Sequence, residues 1–279
     1  MPPACVREAW LLLNGNRLDL EDASKGYFCQ SLDLGSPDVR EVMSPVPDAR
    51  GEDDTTQFLG GRIVSASVSA LRGAGARIDE VASLFAPYMD PAARPELHYV
   101  LDRGANPERM LYVRGKAYEW PVVGAEQRDI SLQFVAADPV AYDPTTHTVS
   151  LGSTGGSWPT QAPISTPGDV MALPKVVVQG PTAATWSVYL YRANPRLDLY
   201  IAGKVAIPAG TNNITTFDCA RRTATNALGQ SVLGSLVDWS RHTWLTLPPG
   251  AQLTAYSYLN GTDVTVCHAD IIWQDGYLS

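Results

Sequence analysis

The sequence predicts a mainly β protein, in which a strand-rich α+β domain with one helix precedes a C-terminal β-sandwich. Three observations indicate this class. Apolar and polar residues alternate along many short segments, as in half-buried strands. Only residues 78–85 have clear helical periodicity, and Pro and Gly concentrate in residues 143–173. We therefore expect a first domain over residues 1–142, a connector over 143–173 and a second domain over 174–279, with each domain folding on its own.

The first domain opens with a predicted hairpin. Asn14-Gly15 separates the apolar run Trp10–Leu13 from Leu18–Leu20 and favours a two-residue turn, because both turn residues tolerate positive φ. The Pro-, Gly- and acid-rich stretches Ser44–Asp48 and Gly51–Asp54 predict a loop. The remaining strands are predicted at Tyr27–Leu34, Arg62–Leu71, His98–Leu101, Arg109–Arg114 and Ile130–Val135.

One helix is predicted in this domain. Ile78, Val81, Ala82 and Phe85 recur at helical spacing and share one face. Pro87 disfavours helical geometry at the residue before it, so we expect the helix to end there. The apolar face is expected to pack on the sheet, with Phe85 in the core; a contact between subunits is the alternative.

The second domain is predicted to contain seven short strands and no helix, which is typical of a β-sandwich. Asn260-Gly261 is expected to join the last two strands in a tight hairpin. The connector before this domain is too rich in Pro and Gly to build a core of its own. The predicted strands are Lys175–Gln179, Trp186–Tyr191, Leu197–Ile201, Ile214–Asp218, Trp244–Leu247, Leu253–Leu259 and Val264–Trp273.

Composition restricts the possible partners. The net charge is −8 and the pI is near 5.0, and Arg221-Arg222 is the only adjacent basic pair, so sequence-specific binding of nucleic acid is not expected. Charged residues make up 18% of the chain. This low share fits a surface covered by other subunits, and it fits a Ser-, Thr- and Gly-rich β protein equally well.

Signals for secretion and membrane insertion are not evident. Residues 1–30 have no continuous apolar run with a cleavage site. No segment reaches about 18 consecutive apolar residues. We therefore expect a protein that folds in the cytoplasm and does not insert into a membrane.

The cysteines and histidines do not predict a metal site. Cys267-His268 is the one Cys–His neighbour pair, and adjacent strand residues point to opposite faces. The four thiols are expected to be reduced or buried. The residues concerned are Cys5, Cys29, Cys219 and Cys267, with His98, His147, His242 and His268.

Catalytic and cofactor signals are equally weak, so no catalytic, cofactor-binding or metal site is predicted and no cofactor is expected. The Gly-rich run Gly152–Gly156 lacks the Lys of a phosphate-binding loop. Asp53-Asp54 is interpreted as solvated charge rather than a catalytic pair. Trp239 and Trp244 could stack on a sugar, but aromatic residues of a small sandwich more often lie in its core.

Taken together, the order and spacing of several segments resemble the distal tail protein family of long-tailed bacteriophages, the siphovirus-type tail component. The resemblance covers most of the chain, and the long connector departs from it. In the first domain it is based on Asp33–Glu41, Gly51–Thr56, Gly60–Ser65, the helix Ile78–Phe85 with Pro87, Glu108–Arg114 and Gln133–Tyr142. In the second it is based on Pro174–Gly180, Phe217-Asp218, Trp244–Gly250 and Ile272-Trp273.

The resemblance implies a non-enzymatic minor tail protein of the virion, assembled in the host cytoplasm. It implies a hexameric ring at the tail tip or baseplate, which the first domain forms and stacks on the tail tube protein. The second domain would have a galectin- or carbohydrate-module-like fold, face outward, and dock the tail-tip hub and receptor-binding proteins. An acidic chain repeated around a channel would repel DNA, so that DNA could pass without binding.

Two other classes remain open from the sequence. One is a carbohydrate-binding adhesin, in which the second domain holds a sugar itself. The other is a glycoside hydrolase with an appended sandwich, which needs two carboxylates facing one cleft.

Overall fold

The computed structural model describes residues 6–45, 52–71, 78–102, 107–120, 127–152, 160–180, 184–192, 198–207, 213–235, 244–250, 252–260 and 268–278. The chain divides into two compact units; the first comprises Met1–Pro144 with Leu278–Ser279, and the second comprises Thr145–Tyr277. Strands dominate both units, and the described residues contain a single α-helix. The predicted fold class, mainly β with one helix, is therefore confirmed.

Two sheets and the helix form the first unit. Sheet A has the strand order β2-β1-β7-β8-β11, and sheet B has the order β3-β6-β10-β9. The helix contacts β6, β9 and β10 of sheet B. The elements are β1 Val6–Leu13, β2 Asn16–Asp19, β3 Tyr27–Asp33, β4 Val39–Pro45, β5 Glu52–Leu59, β6 Arg62–Leu71, α1 Ile78–Met89, β7 Glu96–Leu101, β8 Glu108–Tyr112, β9 Arg114–Glu119, β10 Gln127–Ala136 and β11 Ala141–Tyr142.

One apolar core joins these elements. Leu11 and Leu97 of sheet A, Val64 and Phe134 of sheet B and Phe85 of α1 are all completely buried in it. Alternate residues of each strand supply the core, because successive side chains of a strand point to opposite faces. The predicted hairpin at its start is confirmed: Asn14 and Gly15 have φ values of 51° and 82°, and β1 pairs with β2 across them.

The helix extends beyond the residue where the sequence predicts its end. Pro87 lies inside α1, which continues to Met89. Proline removes one intrahelical hydrogen bond, but Tyr88 and Met89 after it are buried in the same core. We infer that this burial offsets the lost bond and stabilises the last turn. The prediction that Phe85 is a core residue is confirmed.

Strands β4 and β5 replace a predicted loop. They pair antiparallel from Val39–Leu59 to Pro45–Glu52 and, among the described residues, form a two-stranded sheet without a third strand. The loop prediction was therefore wrong at Ser44-Pro45 and at Glu52–Asp54. It gave weight to Pro, Gly and acidic residues and overlooked the β-branched and aromatic residues of both segments.

The second unit also contains two sheets. Sheet C has the order β12-β20-β14-β17-β18 and sheet D the order β13-β19-β15-β16. Buried residues of sheet C pack with Ile164 of sheet D in one core. The strands are β12 His147–Gly152, β13 Thr160–Ser165, β14 Lys175–Gly180, β15 Ala184–Arg192, β16 Asp198–Ile207, β17 Asn213–Asp218, β18 Thr223–Asn226, β19 Gln252–Asn260, β20 His268–Trp273 and β21 Gly276–Tyr277.

The stretch expected to be a connector, residues 143–173, contributes two strands to this unit. Strand β12 pairs with β20, and β13 pairs with β19. From Pro163 to Val176, exposed residues at odd positions alternate with residues at even positions that are buried or, at Val170, half-buried. The proline content was misleading because Pro163 lies in an edge strand, where its missing N–H removes no hydrogen bond from the ladder.

The strand pairing at the C-terminal end also differs from the prediction. Strand β19 lies in sheet D between β13 and β15, while β20 lies in sheet C between β12 and β14. They therefore do not form a hairpin, and Gly261 lies outside the described residues. Trp244–Leu247 is not a regular strand; its ladder contact is one bridge between Leu247 and Ala172. Alternation locates a strand, but the packing of the two sheets decides its partner.

Candidate interaction surfaces

The described histidines lie in separate contacts with carboxylates. His98 is buried in sheet A with its Nδ1 atom 2.8 Å from Glu108 Oε1 and its Nε2 atom 3.1 Å from Glu96 Oε2. His147 Nε2 lies 3.0 Å from Asp275 Oδ2 in the second unit, while His242 lies outside the described residues. Nothing in this arrangement brings a histidine next to a nucleophile.

Among the described residues, the thiols are not activated as nucleophiles, and the carboxylates do not form a metal-binding cluster. Burial raises the pKa of Cys219 to about 12 and also raises the pKa of Cys29, so both are poor nucleophiles at neutral pH. Both are free thiols, and Cys5 and Cys267 lie outside the described part of the chain. Within the described ranges, no three His, Cys, Asp or Glu residues converge on a metal-sized site.

Other sequence candidates are dispersed. Asp53 and Asp54 are in β5 of the hairpin. Trp244 is half-buried against the core of the second unit, whereas Trp239 lies outside the described residues. No helix in the described part of the chain is long and apolar enough to cross a membrane.

The most distinctive surface is the face of sheet B that points away from the core, which we call the hydroxyl face. Its central residues are small or neutral. Ser67 pairs with Ser31 on one side and Ser131 on the other, and Ser65 pairs in the same way with Asp33 and Gln133. The hydroxyl face comprises Ser31 and Asp33 of β3, Ser65, Ser67 and Ser69 of β6, Asp129, Ser131 and Gln133 of β10, and Arg114, Ala117 and Glu119 of β9. At the strand ends, the same side of the sheet also carries Phe28, Ile63, Leu71, Gln127 and Val135.

A hydrogen-bonded network links three strands at one end of the hydroxyl face. The Ser69 hydroxyl donates to Asp129 and accepts from the Gln30 side-chain amide. Gln127 donates to the same Asp129 carboxylate at 3.1 Å. The network satisfies the hydrogen-bonding groups of these side chains. Among the described residues, the only potential general base that it places next to the Ser69 hydroxyl is the Asp129 carboxylate.

The sequence carries a signal for this face. Ser65, Ser67 and Ser69 alternate with Val64, Ala66 and Val68 in the middle of one strand, so a hydroxyl side opposes an apolar side there. A strand of an ordinary surface sheet would carry charged residues at such positions.

Both outer strands of sheet B have an unpaired edge. Strand β3 pairs only with β6, and β9 pairs only with β10, among the described residues. The two edges differ in charge: β9 carries the exposed Arg114, Lys116 and Glu119, whereas β3 carries the exposed Asp33. Each strand has a bulge, at Gln30 in β3 and at Lys116 in β9. An unpaired edge of this kind is a site for adding another strand.

A groove of about 710 Å³ lies beside the β3 edge. Its walls are the start of β1 and the middle of β3, and it has both polar and apolar linings. Arg17 at its rim lies 4.0 Å above the ring centroid of Trp10 and 2.7 Å from Asp19. Trp10 in turn stacks on His98 with 5.3 Å between ring centroids. The side of sheet A next to the groove is therefore held rigidly.

In the second unit, one apolar side chain protrudes from a structured loop. Leu228 is 81% exposed. The Asn226 Oδ1 atom accepts hydrogen bonds from the backbone N–H groups of Leu228 at 3.0 Å and Gln230 at 2.9 Å. Gly229 has a φ of 76°, a conformation that favours glycine. These hydrogen bonds give the loop a defined conformation.

Comparison with solved structures identifies the fold. Over 96% of this chain and 98% of the other, the structure matches the SPP1 Dit protein, described as a paradigm of the hub adsorption apparatus in phages that infect Gram-positive bacteria, with a TM-score of 0.65 and 15% identity. A chain of the phage P2 baseplate in its activated conformation with Ca matches over the same shares, with a TM-score of 0.52 and 10% identity. No protein-family model and no curated protein matches the sequence.

These matches show a shared fold over nearly the whole length of each chain. Because 96% of this chain is covered, the match includes both units and does not rest on one common sandwich domain. At 10–15% identity the likeness concerns the fold, and it is the fold that the sequence resemblance to distal tail proteins implied.

Proposed function

We propose that this protein is a structural component of a phage tail tip, where it forms a ring, expected to be a hexamer, between the tail tube and the tail-tip hub or baseplate. The observation that carries the proposal is the match to SPP1 Dit over nearly the whole length of both chains. Fold alone does not specify function, so the surfaces described above are needed as independent support.

The open edges of sheet B support ring closure. In a ring of identical subunits each chain uses two different patches. The β3 edge and the β9 edge are two such patches on opposite sides of one sheet. Pairing β9 of one subunit with β3 of the next would bring Arg114 and Lys116 towards Asp33. This charge difference favours the head-to-tail contact over contacts between two like edges.

Exposed apolar residues support stacking of the ring. Ile63 and Leu71, at opposite ends of β6, are 48% and 43% exposed. If sheet B extends around the ring, these residues lie at its two rims. They would pack against the tail tube protein on one side and the hub on the other, because burying apolar surface is the main favourable term in association. The two-stranded hairpin β4–β5 is marginal on its own and would gain stability from the same neighbours.

The second unit would carry the peripheral contacts. The fixed Leu228 loop presents an apolar side chain without needing to become ordered on binding, which favours affinity. We propose that this unit docks hub or receptor-binding proteins, that the assembled protein resides in the virion after assembly in the host cytoplasm, and that it acts without catalysis.

Ring closure is tested on the purified full-length chain. Light scattering on a sizing column and negative-stain electron microscopy should show a closed ring. Arg114→Glu combined with Lys116→Glu should give folded monomers, and adding Asp33→Lys should restore part of the ring population. Arg94→Glu, an exposed reversal elsewhere in the unit, is the control and should leave the ring intact. A wild-type chain that stays monomeric at every concentration contradicts the proposal.

A further inference from the structure

A large aromatic side chain is exposed at the β9 edge of sheet B. Trp120 follows the last residue of β9 and is 46% exposed, although tryptophan is on average a highly buried residue. Its ring centroid lies 5.2 Å from that of Tyr118, which packs against the core of the first unit. Trp120 therefore lies on the core side of sheet B, at the edge where the sheet ends.

The groove beside the β3 edge opens on the same side of the sheet. Cys29 and Leu32 line it from β3, and both pack against the core while remaining half-buried. Its volume of about 710 Å³ lies within the range of about 300–1,000 Å³ of pockets that hold small organic molecules. The groove can therefore accommodate an indole ring. The carboxylates of Glu8 and Glu21 in its lining provide acceptors for the indole N–H.

Strand directions bring these two features together in the proposed ring. Each pair of neighbouring strands in sheet B is antiparallel, so β3 and β9 run in opposite directions. Repeating the order β3-β6-β10-β9 around the ring places β9 of one subunit beside β3 of the next. The new pair is again antiparallel, so the sheet continues across the subunit boundary without a change of pattern.

The register of sheet B places Trp120 level with the groove. The ladder of β9 with β10 ends one residue before Trp120, so Trp120 is level with Ile130. Ile130 pairs with Val68 of β6, and Val68 pairs with Cys29 of β3. Without a register shift, Trp120 of one subunit would lie beside Cys29 of the next, on the core side. The groove extends to Leu32, the next core-side residue of β3, so a shift of one side-chain repeat in that direction keeps the indole over it.

We infer that Trp120 of each subunit inserts into the groove beside β3 of the next subunit and anchors the contact between them. The inference rests on the proposed ring and names the side chain and the site that hold two subunits together. Large aromatic side chains that fill pockets supply much of the binding energy at protein interfaces. The charges of the two edges would orient the contact, and insertion of the indole would stabilise it.

The energetic part of the inference is tested by removing the indole from the full-length chain. Trp120→Ala should raise the concentration at which rings dissociate by at least about tenfold, as expected for truncation of an interface anchor. The matched control is Tyr112→Ala, which removes an aromatic side chain of sheet A that is 44% exposed. It should change ring dissociation by less than about twofold. Analytical ultracentrifugation over a concentration series measures dissociation, and equal values for Trp120→Ala and the wild type overturn the inference.

The position of the indole is tested with the thiol already present in the groove. Cys29 is a free thiol, and directly opposed residues of antiparallel strands lie within the distance that a disulfide can bridge. Trp120→Cys rings are treated with oxidised glutathione at a protein concentration above that at which this variant dissociates. Covalent oligomers should appear on a non-reducing gel, and adding Cys29→Ser should abolish them.

The control for the crosslink is Glu119→Cys. Glu119 is one residue away and belongs to the hydroxyl face on the other side of sheet B, so its thiol should not reach Cys29. Assembled Trp120→Cys rings that form no crosslink through Cys29 overturn the inference, even though rings are present. This readout requires only that two cysteines meet, so it separates a wrong assignment from a loss of folding in Trp120→Ala. A wild-type chain that forms no ring instead contradicts the proposed function.

Discussion

The ring of Phe85 in α1 meets the ring of Tyr27 in β3 nearly edge-on, with 5.8 Å between centroids and 75° between planes. Both side chains are completely buried. Phe85→Ala should therefore lower the free energy of unfolding of the first unit by about 3–5 kcal/mol, through lost transfer energy and the cavity left behind. Urea unfolding monitored by circular dichroism measures the change. The exposed Ser83→Ala should change it by less than about 0.5 kcal/mol, and equal effects of the two variants would contradict the core role of Phe85.

A second prediction concerns the contact between β9 and the end of the helix. A Cβ atom at Gly115 would lie 2.4 Å from the Met89 carbonyl oxygen. Gly115→Ala should therefore force the backbone apart and cost about 1–3 kcal/mol. Gly234 has open space around its Cβ position, so Gly234→Ala is the matched control and should leave stability unchanged or slightly higher. Thermal unfolding of both variants measures the change in stability. An unchanged melting temperature for Gly115→Ala would contradict the close contact between Gly115 and Met89.

A third prediction concerns alkaline pH. Burial raises the pKa of Tyr27 from 10.0 to about 12, with the charges of Asp22 and Asp19 acting in the same direction. The folded state keeps this proton where the unfolded chain releases it. The resulting stability is fully present below pH 10 and is lost as the pH rises through about 12. Tyr27→Phe should reduce the slope of unfolding free energy against pH over this interval. An unchanged slope would contradict the assignment.

A fourth prediction concerns the boundary between the units. Strands β12 and β13 pair with β20 and β19, so a fragment that starts at residue 174 lacks strands from both sheets of the second unit. Residues 145–279 and 1–144 should each give cooperative unfolding when expressed alone, whereas 174–279 should not. Cooperative unfolding of the 174–279 fragment would instead support the sequence-based prediction that residues 143–173 are a connector outside the second domain.

Local pattern was enough to predict most strands of this protein. Arg62–Leu71 was predicted with the bounds that the structure has, because serine and apolar residues alternate through its middle, from Val64 to Ala70. The helix was also predicted, since four apolar residues share one face. These signals are carried by side-chain periodicity, which depends on little beyond the segment itself.

Pairing and edges could not be predicted in the same way. The partners of β19 and β20 depend on how the two sheets pack. The alternation of apolar and polar residues within a strand does not identify the neighbouring strand. Proline is common in loops and is also tolerated in edge strands. The segment around Pro163 was therefore wrongly predicted to be part of a connector. The serines Ser65, Ser67 and Ser69 are evident in the sequence as one side of a single strand. That they belong to a wider face is known only from the strand pairing, which places Ser31 of β3 and Ser131 of β10 beside Ser67.

We propose that the protein is a tail-tip component of a virion. Quantitative mass spectrometry of purified particles tests this proposal most directly. A closed ring at one end of the tail predicts a low copy number, about six per particle for a hexamer. The account predicts that peptides from both units are found at this level in mature particles. Absence from the particles, or abundance equal to that of the tail tube subunit, would contradict it.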